Sequence, residues 1–314
     1  MTGAESQLTD TVLMIRPVRF EQNPLTLVSN KFMAELDVTP DAQQKAAATE
    51  FESLRAALID AGINVIVVDD TDEPHTPDSV FPNNWVTFHS DGRVVLYPME
   101  APNRRTERRS DIVDRLHEEY DYDISEVIDL SPHEEQGRYL EGTGSLVLDR
   151  THRVAYACRS SRTHVDVLAE FGERLGYDVV QFAAVDRHGI AIYHTNVFMN
   201  VGEAIAVICA EAIADTAERE LVLERLRSTG HEILTLDFDQ LDAFAGNMLE
   251  LRNSAGEHVF AMSQSAFDSL RPDQRDRLLA NGRVAVADIR RIEQSAGGSV
   301  RCMLAEVHLP KRPA

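Results

Sequence analysis

The stretch Gly297-Gly298-Ser299-Val300-Arg301-Cys302-Met303 lies near the end of the 314-residue chain and leads into an apolar run, Met303–Leu309, that predicts a strand. A cysteine thiolate is a nucleophile, and a cation such as Arg301 or a protonated histidine would stabilise it. The two glycines would let a substrate and the backbone approach closely. A buried structural cysteine is the alternative, because lone cysteines commonly behave as small hydrophobic residues. From this stretch alone, the role of Cys302 stays open.

Upstream of this stretch, short apolar strands alternate with helices in a repeating order. Val12–Ile15 predicts a first strand, a helix begins near Pro40 and ends at Gly62, and Val65–Val68 predicts a second strand. The order strand, strand, helix, strand then recurs every roughly 50 to 60 residues. The later units are predicted at 85–89, 94–97, 104–120 and 127–130; at 144–148, 154–157, 163–175 and 179–182; at 196–200, 204–209, 216–227 and 233–236; and at 248–251, 259–262, 265–279 and 284–287.

The first of these five units lacks one strand, and the C-terminal run 303–309 could supply it. Such a strand would close the units into a ring and bring Cys302 to the N-terminal unit. The sequence therefore predicts an α/β fold of five ββαβ units around a central pocket. We expect residues 1–314 to form a single catalytic domain.

A ring of repeats places equivalent loops of all units around one axis, so the start of each unit's first strand is the place to look for a site. Those starts contain a nucleophile, a histidine, a carboxylate and amides, a set that random positions would rarely provide. They are Phe81-Pro82-Asn83-Asn84-Trp85, Leu140-Glu141-Gly142-Thr143-Gly144, Tyr193-His194-Thr195-Asn196-Val197, Ala245-Gly246-Asn247-Met248 and Gly298–Cys302.

At these residues the chain resembles the guanidine-modifying enzymes of the pentein superfamily, which include arginine deiminases, dimethylarginine hydrolases, amidinotransferases and succinylarginine dihydrolase. Three motifs are most similar to the citrulline utilisation hydrolases, often labelled arginine deiminase-related or amidinotransferase-like: Met14-Ile15-Arg16-Pro17, Phe81–Trp85 and Arg301-Cys302-Met303. The resemblance covers nearly the whole chain. It implies a five-bladed α/β propeller.

The resemblance also implies catalytic roles. Cys302 matches the family cysteine that attacks a guanidino or ureido carbon, and His194 matches the family histidine that protonates the leaving nitrogen and then activates water. Glu141 matches the acid of a Glu-Gly-Gly-Asp motif, which would bind a substrate nitrogen and hold His194 charged. Gly144 departs from the pattern, because an aspartate is common there. Taken singly, His194 could be a core histidine and Glu141 a surface acid.

The substrate-binding residues are also read from the resemblance. Deiminases grip the guanidinium with two aspartates, and the matching positions here are Asn84, beside Asn83, and Asn196. A buried guanidinium facing neutral amides would lack a counter-charge, whereas a neutral ureido group can pair with amides. Deiminases carry an Arg-x-Glu run that holds the substrate carboxylate; Arg105 matches it slightly better than Arg104, and a solvated basic stripe with Arg108 and Arg109 is an equal alternative. Weaker candidates for the carboxylate are Arg16, Arg138 and Arg252.

These residues predict a hydrolase that needs no cofactor and no metal, converting citrulline to ornithine, ammonia and carbon dioxide. Arginine deiminase or dihydrolase and amidinotransferase are alternatives that use the same residues. A catalytically silent propeller that serves as a binding module is the alternative from another class, and the joint presence of Cys302, His194 and Glu141 argues against it.

Composition limits partners and location. The net charge is −21 and the pI is near 4.9, so binding to nucleic acid or to anionic membranes is not expected. The three cysteines cannot form a disulfide framework, and Cys158 and Cys209 lie in apolar strand-like runs typical of a core. No signal sequence or membrane span is recognisable, which predicts a cytoplasmic protein. We expect a small amino-acid substrate as partner and consider a homo-oligomer open.

Overall fold

The computed structural model describes residues 5–27, 30, 32–34 and 38–313. Within these ranges it contains fifteen strands in five three-stranded sheets. The strands are β1 (Thr11–Arg16), β2 (Asn64–Asp69), β3 (Val86–Phe88), β4 (Arg93–Leu96), β5 (Glu126–Asp129), β6 (Leu146–Asp149), β7 (Val154–Cys158), β8 (Asp178–Phe182), β9 (Met199–Val201), β10 (Ile205–Ile208), β11 (Glu232–Thr235), β12 (Leu249–Arg252), β13 (His258–Ser263), β14 (Arg283–Ala287) and β15 (Ala305–Glu306).

Helices connect the strands. The α-helices are α1 (Pro24–Leu27), α2 (Pro40–Asp60), α3 (Ser110–Glu118), α4 (Gly142–Ser145), α5 (Val165–Leu175), α6 (Thr216–Ser228), α7 (Phe238–Asp242), α8 (Gln264–Ser269), α9 (Pro272–Asn281) and α10 (Arg290–Ala296). Short 3₁₀ turns cover Pro82–Asn84, Pro102–Glu107, Ser131–Gln136, Thr195–Val197, Ala210–Ala212 and Val300–Met303.

All five sheets have the same pairing pattern, as the repeated sequence order predicts. In each, the central strand pairs antiparallel with one neighbour and parallel with the other, and the parallel connection runs through one or two helices. In the first sheet the antiparallel neighbour of β1 is β15, with Leu13 opposite Ala305. The C-terminal segment thus supplies the strand that the first unit lacks. The paired part is shorter than 303–309, because Met303 belongs to the preceding 3₁₀ turn.

The sequence of α2 illustrates how these units form. Thr39 caps the helix by accepting a hydrogen bond from the amide of Ala42, and Pro40 occupies the first turn, where its missing N–H is not needed. The side chains buried on one face recur at helical spacing and pack against the sheets. They are Ala47, Phe51, Leu54 and Leu58.

Two predicted helices are interrupted. The prediction of one helix over 104–120 is wrong, because Pro102–Glu107 forms a 3₁₀ turn and Arg108 is extended before α3 begins. The helix predicted over 265–279 is divided into two helices at Leu270 and Arg271, which are both extended, because a residue that precedes proline avoids the helical conformation.

In the described ranges, no helix is long and apolar enough to cross a membrane.

Candidate active site

Four helical turns carry the candidate residues, each just before the strand that pairs antiparallel with the central strand of its sheet. Pro82–Asn84 precedes β3, α4 precedes β6, Thr195–Val197 precedes β9, and Val300–Met303 lies just before β15. The turns contact one another: the backbone carbonyl of Asn83 accepts a hydrogen bond from Thr143 Oγ1 at 3.3 Å. The structure therefore brings together the strand starts that the repeat pattern singled out.

These turns border a small cavity of about 20 Å³. Its wall includes Cys302, His194 and Asn84 from the predicted set, together with Asp78, Arg104 and Arg162. A larger open groove elsewhere, bordered by Thr9, Tyr122 and His308, contains none of the predicted site residues. We therefore take the smaller cavity as the candidate active site.

The sulfur of Cys302 is held by two side-chain amides. The residue is buried, with 5% of its surface exposed. Asn247 Nδ2 donates to Sγ at 3.3 Å and Asn196 Nδ2 at 3.4 Å, and Asn247 Nδ2 also donates to the backbone carbonyl of Asn196. Asn247 lies in one of the strand-start motifs but was not among the predicted site residues. Its place in the repeat was the signal that could have identified it.

Arg301, the cation expected to assist the thiolate, is engaged elsewhere. Its guanidinium donates to the carboxylate of Glu306 at 2.7 Å and to the carbonyl of Leu304 at 3.0 Å. Glu306 also lies 3.8 Å from Arg150. Arg301 therefore belongs to a buried ion-pair cluster, and its charge is already compensated.

His194 and Glu141 form a direct pair. His194 Nε2 lies 2.9 Å from Glu141 Oε2, and both side chains are buried. Arg162 Nη1 donates to the same oxygen at 3.4 Å, and Arg104 Nη1 lies 4.0 Å from it. An ionised carboxylate only accepts hydrogen bonds, so Nε2 carries the proton and Nδ1 is the ring nitrogen that can take another.

The charges of this pair differ from the sequence-based expectation. Burial alone would raise the pKa of Glu141, but Arg162, His194 and Arg104 hold that pKa far below its usual range. Burial lowers the pKa of His194 to about 4, although Glu141 opposes the change. The expectation that Glu141 keeps His194 charged is therefore wrong for the free protein. Two guanidinium groups already balance the carboxylate, so it cannot offset the cost of burying an imidazolium.

The amide of Asn84 has a defined orientation. Its Oδ1 accepts a hydrogen bond from Arg104 Nη1 at 2.9 Å, and no described residue pairs with its Nδ2. A Cβ on Gly144 would lie 2.4 Å from this Nδ2 and 2.8 Å from Nδ1 of His194. A side chain at position 144 would thus displace both groups. Glycine at this position therefore leaves room for both groups.

The other two predicted amides differ in position. Asn196 donates to Cys302 through Nδ2, and its Oδ1 has no partner among the described residues. Asn83 is fully buried and does not border the cavity, and within the described ranges neither atom of its amide is paired. Asn84 borders the cavity near His194 and Asn196 donates to the sulfur, so each has one unpaired amide atom close to a reactive group.

The preference for Arg105 over Arg104 is not supported by the structure. Arg105 is part-exposed and donates to the backbone carbonyls of Met99 and Glu100, outside the cavity wall. Arg104 is buried in the wall and makes a two-point ion pair with Glu107. The weaker candidates pair with surface acids: Arg16 with Glu52 and Asp69, Arg138 with Asp166, and Arg252 with Glu203.

Asp78 and Arg162 are wall residues that the sequence reasoning missed. Asp78 Oδ2 accepts a hydrogen bond from Asn23 at 2.6 Å, and no described residue pairs with its buried Oδ1. The guanidinium of Arg162 lies over the ring of Tyr193, 4.5 Å from its centroid. Arg162 follows the central strand of its unit, as Arg104 does, and that equivalence was an available signal. No equivalent position in the other units marked Asp78.

In the ranges that the structure describes, no cluster of three or more His, Cys, Asp or Glu side chains could hold a metal ion. The cavity wall and the side chains that contact it provide one thiol, one imidazole, two carboxylates, two guanidinium groups and several amides.

Comparisons to known proteins identify the family of the chain and its fold. The model of the family described as N,N dimethylarginine dimethylhydrolase, eukaryotic, matches residues 16–309. No curated protein matches the chain. Among solved structures, the chain is similar to ArgZ, an arginine dihydrolase from the ornithine-ammonia cycle in cyanobacteria, with a TM-score of 0.73 and 19% identity over 96% of this chain.

The chain spans 41% of the length of full-length ArgZ. It covers 99% of the separate N-terminal domain of ArgZ solved with product, at a TM-score of 0.72 and 20% identity. It also covers 99% of a dimethylarginine hydrolase from Pseudomonas aeruginosa solved with citrulline, at a TM-score of 0.64 and 14% identity. The structural likenesses confirm the mixed α/β fold. The family match over most of the chain confirms the resemblance to penteins: this protein belongs to the N,N-dimethylarginine dimethylhydrolase family, hydrolases of carbon–nitrogen bonds within the pentein superfamily.

Proposed function

We propose that the protein hydrolyses the ureido group of citrulline to give ornithine, ammonia and carbon dioxide. One observation carries this proposal: two amides of the site offer one unpaired donor, Asn84 Nδ2 in the cavity wall, and one unpaired acceptor, Asn196 Oδ1, on the amide that donates to the sulfur. A ureido group has an oxygen that accepts and nitrogens that donate, so it matches both atoms without a charge. Two neutral amides favour this group over a buried guanidinium.

The remaining wall residues suit the amino-acid end of the substrate. The unpaired Oδ1 of Asp78 is an acceptor for the α-ammonium group. Arg162 is a planar donor group in the same wall, suited to two-point binding of the α-carboxylate. Both guanidinium groups of the wall already have carboxylate partners, Arg104 with Glu107 and Arg162 with Glu100 and Glu141. We assign the substrate carboxylate to Arg162, because its partner Glu100 is part-exposed and can be displaced, whereas Glu107 is buried.

The first half-reaction uses the neutral imidazole. His194 takes the proton of the Cys302 thiol at Nδ1, and the sulfur attacks the ureido carbon. The carbon becomes tetrahedral and its oxygen takes the negative charge, which the Asn84 amide stabilises. His194 then gives the proton to the terminal nitrogen, the C–N bond breaks, and ammonia leaves a thiocarbamate on the sulfur.

The second half-reaction reverses these roles. His194 removes a proton from water, which attacks the thiocarbamate carbon while the carbon–sulfur bond breaks. The sulfur is released and regains its proton from His194. The resulting carbamate of ornithine loses carbon dioxide without help from the enzyme. Overall, one water is consumed for each ammonia and carbon dioxide produced.

The proposal includes the arrangement of the whole chain. The five sheets would form the blades of an α/β propeller, closed by β15, with the cavity at its axis and residues 1–314 in one catalytic domain. The equal pairing pattern and the contacts among strand starts support this arrangement. The unpaired state of all three cysteines fits a reducing cytoplasm.

Hydrolysis of arginine by the same route is the second candidate, and one observation favours it. The buried carboxyl groups of Asp78, Glu107 and Glu141 outnumber the guanidinium groups of Arg104 and Arg162. Burial raises the pKa of Glu107 to about 7, and a cationic substrate would favour its ionised form and so meet a compensating charge. Steady-state assays with citrulline, arginine, agmatine and dimethylarginine, measuring ammonia and the amine product, separate the two. Preference for arginine, with citrulline accumulating, would overturn our proposal.

An amidinotransferase and a silent binding module can each be tested separately. An amidinotransferase would resolve the adduct with an amine, so a new amidino product would form when glycine or ornithine is added to arginine. A silent binding module would show no protected cysteine. Iodoacetamide should label Cys302 before Cys158 and Cys209, which are fully buried, and citrulline should protect it. Equal labelling without protection would favour the module.

A further inference from the structure

We propose that Glu107, acting through Arg104, fixes the orientation of the Asn84 amide and thereby sets the preference of the cavity for a substrate carbonyl oxygen. Glu107 does not border the cavity and belongs to none of the strand-start motifs. Glu107 is therefore a positioning residue. This inference rests on the proposed function and assigns the residue that sets the selectivity of the cavity.

Glu107 holds the guanidinium of Arg104 in one plane. Both residues lie on the 3₁₀ turn Pro102–Glu107, three positions apart, and both are buried. The two carboxylate oxygens accept hydrogen bonds from Arg104 Nε and Nη2, each at 2.9 Å. A two-point pair of this kind restrains direction as well as position. The third nitrogen, Nη1, is thereby aimed at Asn84 Oδ1.

Arginine nitrogens only donate hydrogen bonds, so the atom of Asn84 that faces Nη1 must be the oxygen. If the Asn84 amide were flipped, its NH₂ group would face the N–H group of Arg104, and neither donor would have an acceptor. The guanidinium therefore forces Nδ2 to be the atom left for the substrate. An N–H donor at that place suits a carbonyl oxygen and the oxyanion that forms from it, and it does not suit a guanidinium N–H group.

Without the carboxylate of Glu107, Arg104 has competing partners. Its Nε lies 3.8 Å from Asp78 and its Nη1 4.0 Å from Glu141. A guanidinium drawn to either acid would release Asn84 Oδ1, and the amide could then present its oxygen to the substrate. The preference for a carbonyl oxygen would weaken while the catalytic groups Cys302 and His194 stay in place.

The test compares Glu107→Gln with the wild type on both citrulline and arginine. Glutamine keeps the size of the side chain but offers one acceptor oxygen in place of two. We expect the citrulline-to-arginine ratio of kcat/KM to fall about tenfold or more, chiefly through kcat for citrulline, which is the scale of one misplaced hydrogen bond to a charged or reacting group. Glu134→Gln is the matched control, because Glu134 makes a similar ion pair with Arg108 outside the cavity. It should leave the ratio unchanged.

An unchanged ratio in Glu107→Gln, or equal losses for both substrates, would overturn the inference and leave the proposed function standing. A wild type that hydrolyses neither substrate would overturn both. If Glu107→Gln does not fold, Arg104→Lys provides the same readout, since lysine cannot form the two-point pair. A lysine variant with the wild-type ratio would also overturn the inference.

Discussion

Replacing Asn84 with aspartate exchanges the unpaired Nδ2 for a second carboxylate oxygen and changes almost nothing in size. The hydrogen bond from Arg104 Nη1, 2.9 Å long, can remain on the other oxygen. The new oxygen takes the place beside Gly144 and His194 where Nδ2 now lies. A donor is thereby lost, and a negative charge enters a buried wall.

The two changes act in opposite directions on the two substrates. Removing one donor to a developing oxyanion costs about 10²- to 10³-fold in kcat, and we expect that loss for citrulline. A guanidinium that gains a hydrogen-bonded counter-charge is stabilised by about 1.5–3 kcal/mol, or roughly 10- to 100-fold, and we expect that gain for arginine. The citrulline-to-arginine ratio of kcat/KM should therefore fall by at least about 10³-fold.

The assay is release of ammonia and ornithine from each substrate under initial-rate conditions. Asn84→Ala is the matched control, because it removes the donor without adding a charge. It should lose citrulline turnover to a similar extent and gain nothing on arginine. If the aspartate and alanine variants have the same citrulline-to-arginine ratio of kcat/KM, the charge argument is refuted. If the aspartate variant keeps full citrulline activity, the role of Nδ2 is refuted.

Four further outcomes are expected. Cys302→Ser should abolish turnover and leave the circular dichroism spectrum unchanged, whereas wild-type rates would exclude covalent catalysis by the thiol. His194→Ala should slow adduct formation in rapid-quench experiments at least ~10²-fold, and an unchanged transient would contradict its role. Burial lowers the pKa of His194 to about 4 and only the neutral ring can accept the thiol proton, so kcat/KM should fall as the pH drops through about 4; a limb near the ordinary ~6.5 would show that the imidazole is solvated. Gly144→Ala should lower kcat more than it changes KM, because its methyl group displaces Asn84 and His194, and a fully active variant would disprove that contact.

Much of the architecture could be predicted because the information was local. Apolar runs such as Val65–Val68 and helical spacing such as Phe51, Leu54 and Leu58 specify strands and helices independently of the rest of the chain. The repeated order then implied that strand starts converge. The candidate residues Glu141, His194 and Cys302 were identified by that reasoning, together with the family resemblance.

Other features depend on three-dimensional surroundings. Arg104 and Arg105 are adjacent on a 3₁₀ turn and have the same chemistry, so only packing decides that one is buried and the other part-exposed. The neutral state of His194 follows from burial beside two guanidinium groups, one of which comes from a residue that no motif marked. Asp78 precedes the second sheet in a segment without regular structure, so no periodic sequence pattern indicates that it borders the cavity.

The pairing of β1 with β15 has a consequence for how activity arises during folding. These strands come from opposite ends of the sequence, and contacts of such high sequence separation form slowly because a long segment must first lose its freedom. Cys302 lies on the turn just before β15, so the event that completes the first sheet also delivers the sulfur to the cavity. A growing chain would hold Asn84, Glu141 and His194 well before it holds the thiol. Newly made protein would thus remain chemically inert until its earliest and latest strands meet.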